Sequence, residues 1–180
     1  MVLGGSLNQS KGGQAVVNIY EAENAELTKW KYRGVMFHHP DRDARTSECP
    51  NFFNLGDQWV LFVSPYGKVQ YFVGDFDAET CRFQQRTRGF LDHGPNYYAP
   101  NTMLIPDGRR LVWGWVNGFQ AGRGWNGCLS LPRQLSLSRR ATSTKACATV
   151  EQAARQASCV AKCSHGQRPE LAGAAGVERP

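Results

Sequence analysis

No run of this 180-residue chain is apolar for the roughly 20 residues a membrane-spanning helix needs, so no helical span is expected. Met1-Val2-Leu3-Gly4-Gly5 also lacks the basic start and apolar middle of a secretory leader. Met1 is expected to be an internal start, so the compartment, cytoplasmic or secreted, depends on sequence upstream. Aromatic residues are missing from the last quarter of the chain: all twenty Phe, Trp and Tyr precede Ser138, and residues 139–180 are rich in Ala, Arg, Ser and Gly. Two kinds of sequence are therefore joined, residues 1–137 suited to a packed domain and residues 138–180 a low-complexity, irregular tail.

Charge divides in the same way. Of the net +6, residues from Arg139 onward hold seven basic against three acidic side chains, leaving only about +2 for the aromatic-rich part. No basic stripe interleaved with aromatics follows a phosphate backbone, so nucleic acid is not an expected partner, and neither is a membrane. The six cysteines do not cluster as a metal site would. Cys49, Cys81 and Cys128 are far apart and sit in or beside apolar strand patterns, while Cys159, Cys163 and His165 lack a second ligand pair. No metal is expected.

Helical periodicity is absent from the first 138 residues, and short segments rich in β-branched, aromatic or leucine residues take its place. They are residues 1–6, 15–22, 51–55, 59–64, 69–74, 102–105, 110–116 and 128–137. Gly56-Asp57, Pro65-Tyr66-Gly67 and Pro106-Asp107-Gly108 supply reversals between neighbours. The pattern predicts an antiparallel, all-β architecture. A weak repeat of about fifty residues, Ile19–Gly34 against Val73–Gly89, has the form of propeller blades, which bury both faces only by stacking. About three blades are expected, the first incomplete, with a β-sandwich as the plainer alternative. A genuine tail could hold a short Ala-rich helix between Ala148 and Val160.

Glu48-Cys49-Pro50, entering the apolar run Asn51-Phe52-Phe53-Asn54-Leu55, places one carboxylate at the mouth of a buried strand. An exposed Glu before a strand is the ordinary reading of those residues. A Glu against apolar walls can instead hold its proton near neutral pH and pass it to a leaving oxygen. Further along stand Leu91-Asp92-His93-Gly94-Pro95-Asn96-Tyr97-Tyr98-Ala99-Pro100, Trp113-Gly114-Trp115 and Trp125-Asn126-Gly127-Cys128-Leu129-Ser130-Leu131-Pro132-Arg133. Asp92 could be a turn acid, and Trp113, Trp115 and Tyr97 could be blade core.

These four blocks, in this order over some ninety residues, resemble glycoside hydrolase family 32, the family of invertases, levanases, inulinases and related β-fructosidases. The resemblance covers about residues 1–137. It implies a five-bladed β-propeller with a central funnel for a fructosyl unit, a carbohydrate substrate such as sucrose or a short fructan, and no metal or organic cofactor. It further implies that Glu48 is the general acid/base of a retaining mechanism. Two carboxylates stand about 5 Å apart in such a site, one attacking the anomeric carbon and the other protonating the departing oxygen. Cys49 would shape the pocket, Asp92 would accept hydrogen bonds from fructose hydroxyls, and Tyr98 and Trp125 would line the site.

The family's nucleophile lies in a block similar to Trp-Met-Asn-Asp-Pro-Asn-Gly, and a second Asp lies in an Arg-Asp-Pro motif. Neither is found here, and Arg42-Asp43-Ala44, five residues before Glu48, is a loop that only looks like the second. The chain is therefore expected to be a fragment without efficient hydrolysis of its own. Fructosyl transfer, or a carbohydrate-binding propeller remnant without catalysis, are the alternatives. Past Ser138 the family's pattern is lost, which points to a reading-frame slip. An uninterrupted single-frame gene ending at Pro180 would refute it.

Overall fold

The computed structural model describes residues 1–8, 13–142 and 145–153, with side chains to Ser138. The chain forms three antiparallel sheets, consecutive blades of a partial β-propeller, and no helix is present among the described residues. The first blade holds β1 (Val2–Leu7), β2 (Gln14–Ala22) and β3 (Trp30–His38). The second holds β4 (Glu48–Leu55), β5 (Gln58–Ser64), β6 (Gln70–Asp77) and β7 (Arg82–Phe90). In the third, β8 (Tyr97–Leu104) pairs with one edge of β9 (Arg110–Val116). The other edge takes the short β10 (Cys128–Leu129) and then β11 (Arg133–Thr142), which pairs in turn with β12 (Lys145–Ala153).

The middle blade explains why β5 reads Val60-Leu61-Phe62-Val63 without a polar break: both its faces are covered. Leu61 and Val63 pack with Phe72, Phe83, Val17, Met36 and Phe37 toward the first blade. Val60 and Phe62 pack with Phe53, Tyr71, Tyr97, Val112 and Leu135 toward the third. Successive side chains of a strand point to opposite faces, so one uninterrupted apolar run feeds two cores. Rings carry much of the contact, with Phe37 and Phe72 4.7 Å apart on one side and Phe53 and Phe62 5.2 Å apart on the other. Gly4 of β1 runs so close to the Ser47 carbonyl that any Cβ there would overlap it. This contact draws β1 against the start of β4.

Several boundaries differ from the sequence pattern for identifiable reasons. Strands β3 and β7 are not apolar runs: Arg33 pairs with Glu21 of β2, and Arg86 with Asp75 of β6, so cross-strand ion pairs stand where apolar pairs were sought. Pro132, which has no N–H, and the Ser130 hydroxyl, which accepts the Gly114 N–H at 3.1 Å, split the predicted 128–137 strand into β10 and β11. Strand β11 also crosses the compositional break at Ser138, and β12 places Ala148–Ala153 in a strand rather than a helix. Cys159, Cys163 and His165 lie outside the described residues.

Candidate active site

Strands β4 and β8, the first strands of their blades, open with the same device. Glu48-Cys49-Pro50-Asn51 and Tyr98-Ala99-Pro100-Asn101 each break the ladder register. The second residue of each is in the left-handed region, Cys49 at φ 47° and Ala99 at φ 46°. A bulge with one left-handed residue re-aims the side chain before it and tolerates a proline that has no N–H to pair. Cys and Ala are small and unbranched, which keeps the steric cost of this conformation low. The bulges turn Glu48 and Tyr98 toward each other.

Their contact is direct. The Tyr98 hydroxyl lies 3.0 Å from Glu48 Oε2 and 2.8 Å from the carbonyl of fully buried Ser64, and its one proton serves one of these acceptors at a time. The same oxygen accepts the Tyr66 N–H at 3.1 Å. Desolvation, with the nearby Glu48 carboxylate adding to it, pushes the Tyr98 phenol up to about 12, so it remains a donor at neutral pH. Tyr66 sits at the tip of the β5–β6 turn, 72% exposed, and a hydrogen bond to Glu48 raises its phenol as well. The Tyr98 phenol thus meets a carboxylate that is itself only half-buried. Cys49 follows it, its thiol raised by burial and then by the Glu48 charge. A thiol kept protonated is a poor nucleophile.

Asn51 ties the two strands together. Its Nδ2 donates to the Pro100 carbonyl (2.8 Å) and to the Cys49 carbonyl (3.1 Å), while its Oδ1 accepts the Thr102 N–H at 3.1 Å. Of the predicted site residues, the structure therefore brings together Glu48, Cys49 and Tyr98. Asp92 is engaged elsewhere: Oδ2 pairs with Arg133 Nη1 at 2.7 Å and Oδ1 accepts the Gly94 N–H at 2.7 Å. With Tyr97 and Arg133 it lines a cavity of about 480 Å³, and the Arg133 guanidinium lies over the Tyr97 ring at 4.7 Å. Lys68 Nζ, donating to the His93 carbonyl at 3.1 Å, fastens this loop to the turn that carries Tyr66. Trp125 is on the β9–β10 loop, half-exposed, its ring 4.9 Å from that of Phe119. Arg42-Asp43-Ala44 lies in the β3–β4 loop. No group of three or more His, Cys, Asp or Glu side chains is placed to hold a metal among the described residues.

Sequence reasoning passed over Tyr66, Asn51 and Arg133. A signal for Asn51 was present. Glu-Cys-Pro-Asn and Tyr-Ala-Pro-Asn recur at a spacing of fifty residues and mark equivalent bulges on adjacent strands.

Known proteins resemble this chain in sequence and fold. Residues 1–147 match the Glycosyl hydrolases family 32 N-terminal domain. The sucrose-6-phosphate hydrolase of Bacillus subtilis is 32% identical over 162 residues, covering 77% of this chain and 33% of that protein. The Escherichia coli sucrose-6-phosphate hydrolase is 32% identical over 134 residues, covering 62% and 27%. Among solved structures, a family 32 β-fructofuranosidase of Bombyx mori superposes with a TM-score of 0.64 at 27% identity, over 75% of this chain and 32% of that one. Fructan 1-exohydrolase IIa of Cichorium intybus shares the fold with a TM-score of 0.67 at 19% identity, over 85% and 32%. The chain spans about a third of the length of the curated relatives it matches. A matched domain over most of the chain, carried on three blades of the expected all-β fold, identifies this protein as a member of glycosyl hydrolase family 32.

Proposed function

We propose that this chain carries the acid/base half of a retaining β-fructofuranosidase site, acting on terminal β-fructosides such as sucrose, its 6-phosphate or short fructans. The observation that carries the reading is the Tyr98 hydroxyl set 3.0 Å from the Glu48 carboxyl at the bulged start of β4. A carboxyl so held keeps one defined orientation, and general acid catalysis needs its oxygen within hydrogen-bond reach of the glycosidic oxygen. In the first step Glu48 gives its proton to the departing sugar's oxygen as a second carboxylate attacks the anomeric carbon. In the second, Glu48 takes a proton from water, which releases fructose and restores the acid.

Tyr98 orients Glu48, and Cys49 packs beside it without attacking. Asp92, oriented by Arg133, accepts from fructose hydroxyls, and Trp125 offers a ring face to the sugar. No residue of the chain is assigned to the attacking carboxylate, so residues 1–180 by themselves are proposed to bind sugar without turning it over. The test is a fructose titration of the carbon-13-labelled protein. The Glu48 carboxyl carbon and the Tyr98 ring carbons should shift together, and Glu48→Gln should abolish the Tyr98 response. Shifts confined to other residues would overturn the assignment.

A further inference from the structure

Asn51 has a role that its position alone does not announce. Most contacts between the second and third blades are apolar and adjust to small slips, because burial is not directional. The Asn51 carboxamide is different. It reaches from β4 to β8 and engages a donor and an acceptor two residues apart, the Thr102 N–H and the Pro100 carbonyl. Those groups flank Asn101, where the ladder resumes after the register break that follows Tyr98. Its Nδ2 also reaches back to the Cys49 carbonyl, inside the bulge that aims Glu48. One planar group thus holds both bulges. The equivalent residue on β8, Asn101, is exposed and no strand lies beyond it among the described residues, so the motif itself supplies a control.

We infer that Asn51 is the positioning residue of this site: its carboxamide locks the paired bulges of β4 and β8 at the one spacing where the Tyr98 hydroxyl meets Glu48. Asn51 touches no substrate and acts through that contact. The inference rests on Glu48 being the acid/base for its functional meaning, but the contact itself is measured without substrate. Loss of the carboxamide frees two strands to slide by a few tenths of an ångström. A charge-assisted hydrogen bond of this length weakens steeply over such a distance.

The experiment is hydrogen–deuterium exchange of tyrosine hydroxyls, followed by NMR of carbon-13-labelled tyrosine in the full 180-residue chain, with Tyr98→Phe identifying the signal. Asn51→Ala should speed exchange of the Tyr98 hydroxyl by about tenfold or more, since protection there depends on a closed local structure. The hydroxyl of Tyr71, on β6, should keep its rate, and Asn101→Ala should change neither. If Asn51→Ala fails to fold, Asn51→Asp carries the test: it keeps the acceptor for Thr102 and loses the donor to Pro100, and Tyr98 exchange should still rise. An unchanged Tyr98 rate in a folded Asn51 variant, or an equal rise in Asn101→Ala, would make Asn51 a merely structural residue. Glu48 and Tyr98 signals that ignore fructose, in a chain whose Tyr98 exchange still depends on Asn51, would overturn the functional reading and leave this one standing.

Discussion

Removing one oxygen atom, in Tyr98→Phe, is the sharpest perturbation of the site. The hydroxyl accepts from the Tyr66 N–H at 3.1 Å and gives its proton to the Ser64 carbonyl at 2.8 Å or to Glu48 Oε2 at 3.0 Å. The ring stays and fills the same space, so no cavity term enters. Glu48 is half-exposed and regains water, so its loss is small. Ser64 is fully buried, and its carbonyl is left without this donor, a loss of about 1–3 kcal/mol. The exposed Tyr66 amide turns to solvent at little cost. The sum is about 2 kcal/mol, which for a chain of this length lowers Tm by about 4–8 °C. Urea unfolding followed by tryptophan fluorescence measures it, with Tyr66→Phe as the control, since that exposed hydroxyl should contribute almost nothing. A Tyr98→Phe loss below about 0.5 kcal/mol, in the range of an ordinary surface change, would refute the reasoning.

The remaining predictions concern packing and pH. Gly4→Ala should lower stability by at least about 2 kcal/mol, read as a urea midpoint shift, because the new Cβ meets the Ser47 backbone rather than a side chain that could move. Phe72→Ala, at a ring fully buried between the first two blades, should cost about 3–5 kcal/mol in the same assay. His39 is buried against Phe37 and Phe72, and desolvation holds its imidazole below the ordinary 6.5 despite Asp41 nearby. The unfolded chain then takes up the proton more readily than the folded one, so stability falls as pH drops below about 6.5. His39→Gln should flatten that acid limb of a Tm-against-pH profile. The Tyr98 phenol is shifted the other way, to about 12 from 10, so the unfolded chain releases its proton first and stability declines as pH rises above about 10. Tyr98→Phe should remove that part of the alkaline decline.

What could be read from the sequence followed physical lines. The inner and middle strands announced themselves because the second blade is covered on both faces, which forces runs such as Val60–Val63 to be wholly apolar. The outer strands β3 and β7 were hidden because Arg33 and Arg86 take acidic partners across the ladder, and an alternation of charges looks like a loop. The starts of β4 and β8 were hidden by prolines, which argue against a strand unless a bulge absorbs them. For the site, Glu48 and Tyr98 were visible as types in distinctive blocks. Their meeting was not, because it depends on two left-handed residues, Cys49 and Ala99, on strands of different blades that come together only when the blades pack. The Asp92–Arg133 pair escaped for a related reason, since the partners are 41 residues apart and join only when β11 closes against β9.

The claim that most depends on the geometry is that Glu48 donates the proton to the leaving group. Its direct test is leaving-group dependence, measured on a chain that includes these residues together with a segment supplying the attacking carboxylate. With sucrose, whose departing alkoxide must be protonated, Glu48→Gln should lower kcat/KM by about 10²–10⁴-fold. With p-nitrophenyl β-D-fructofuranoside, whose phenolate departs unaided, the loss should be far smaller. Equal losses on the two substrates would contradict the account.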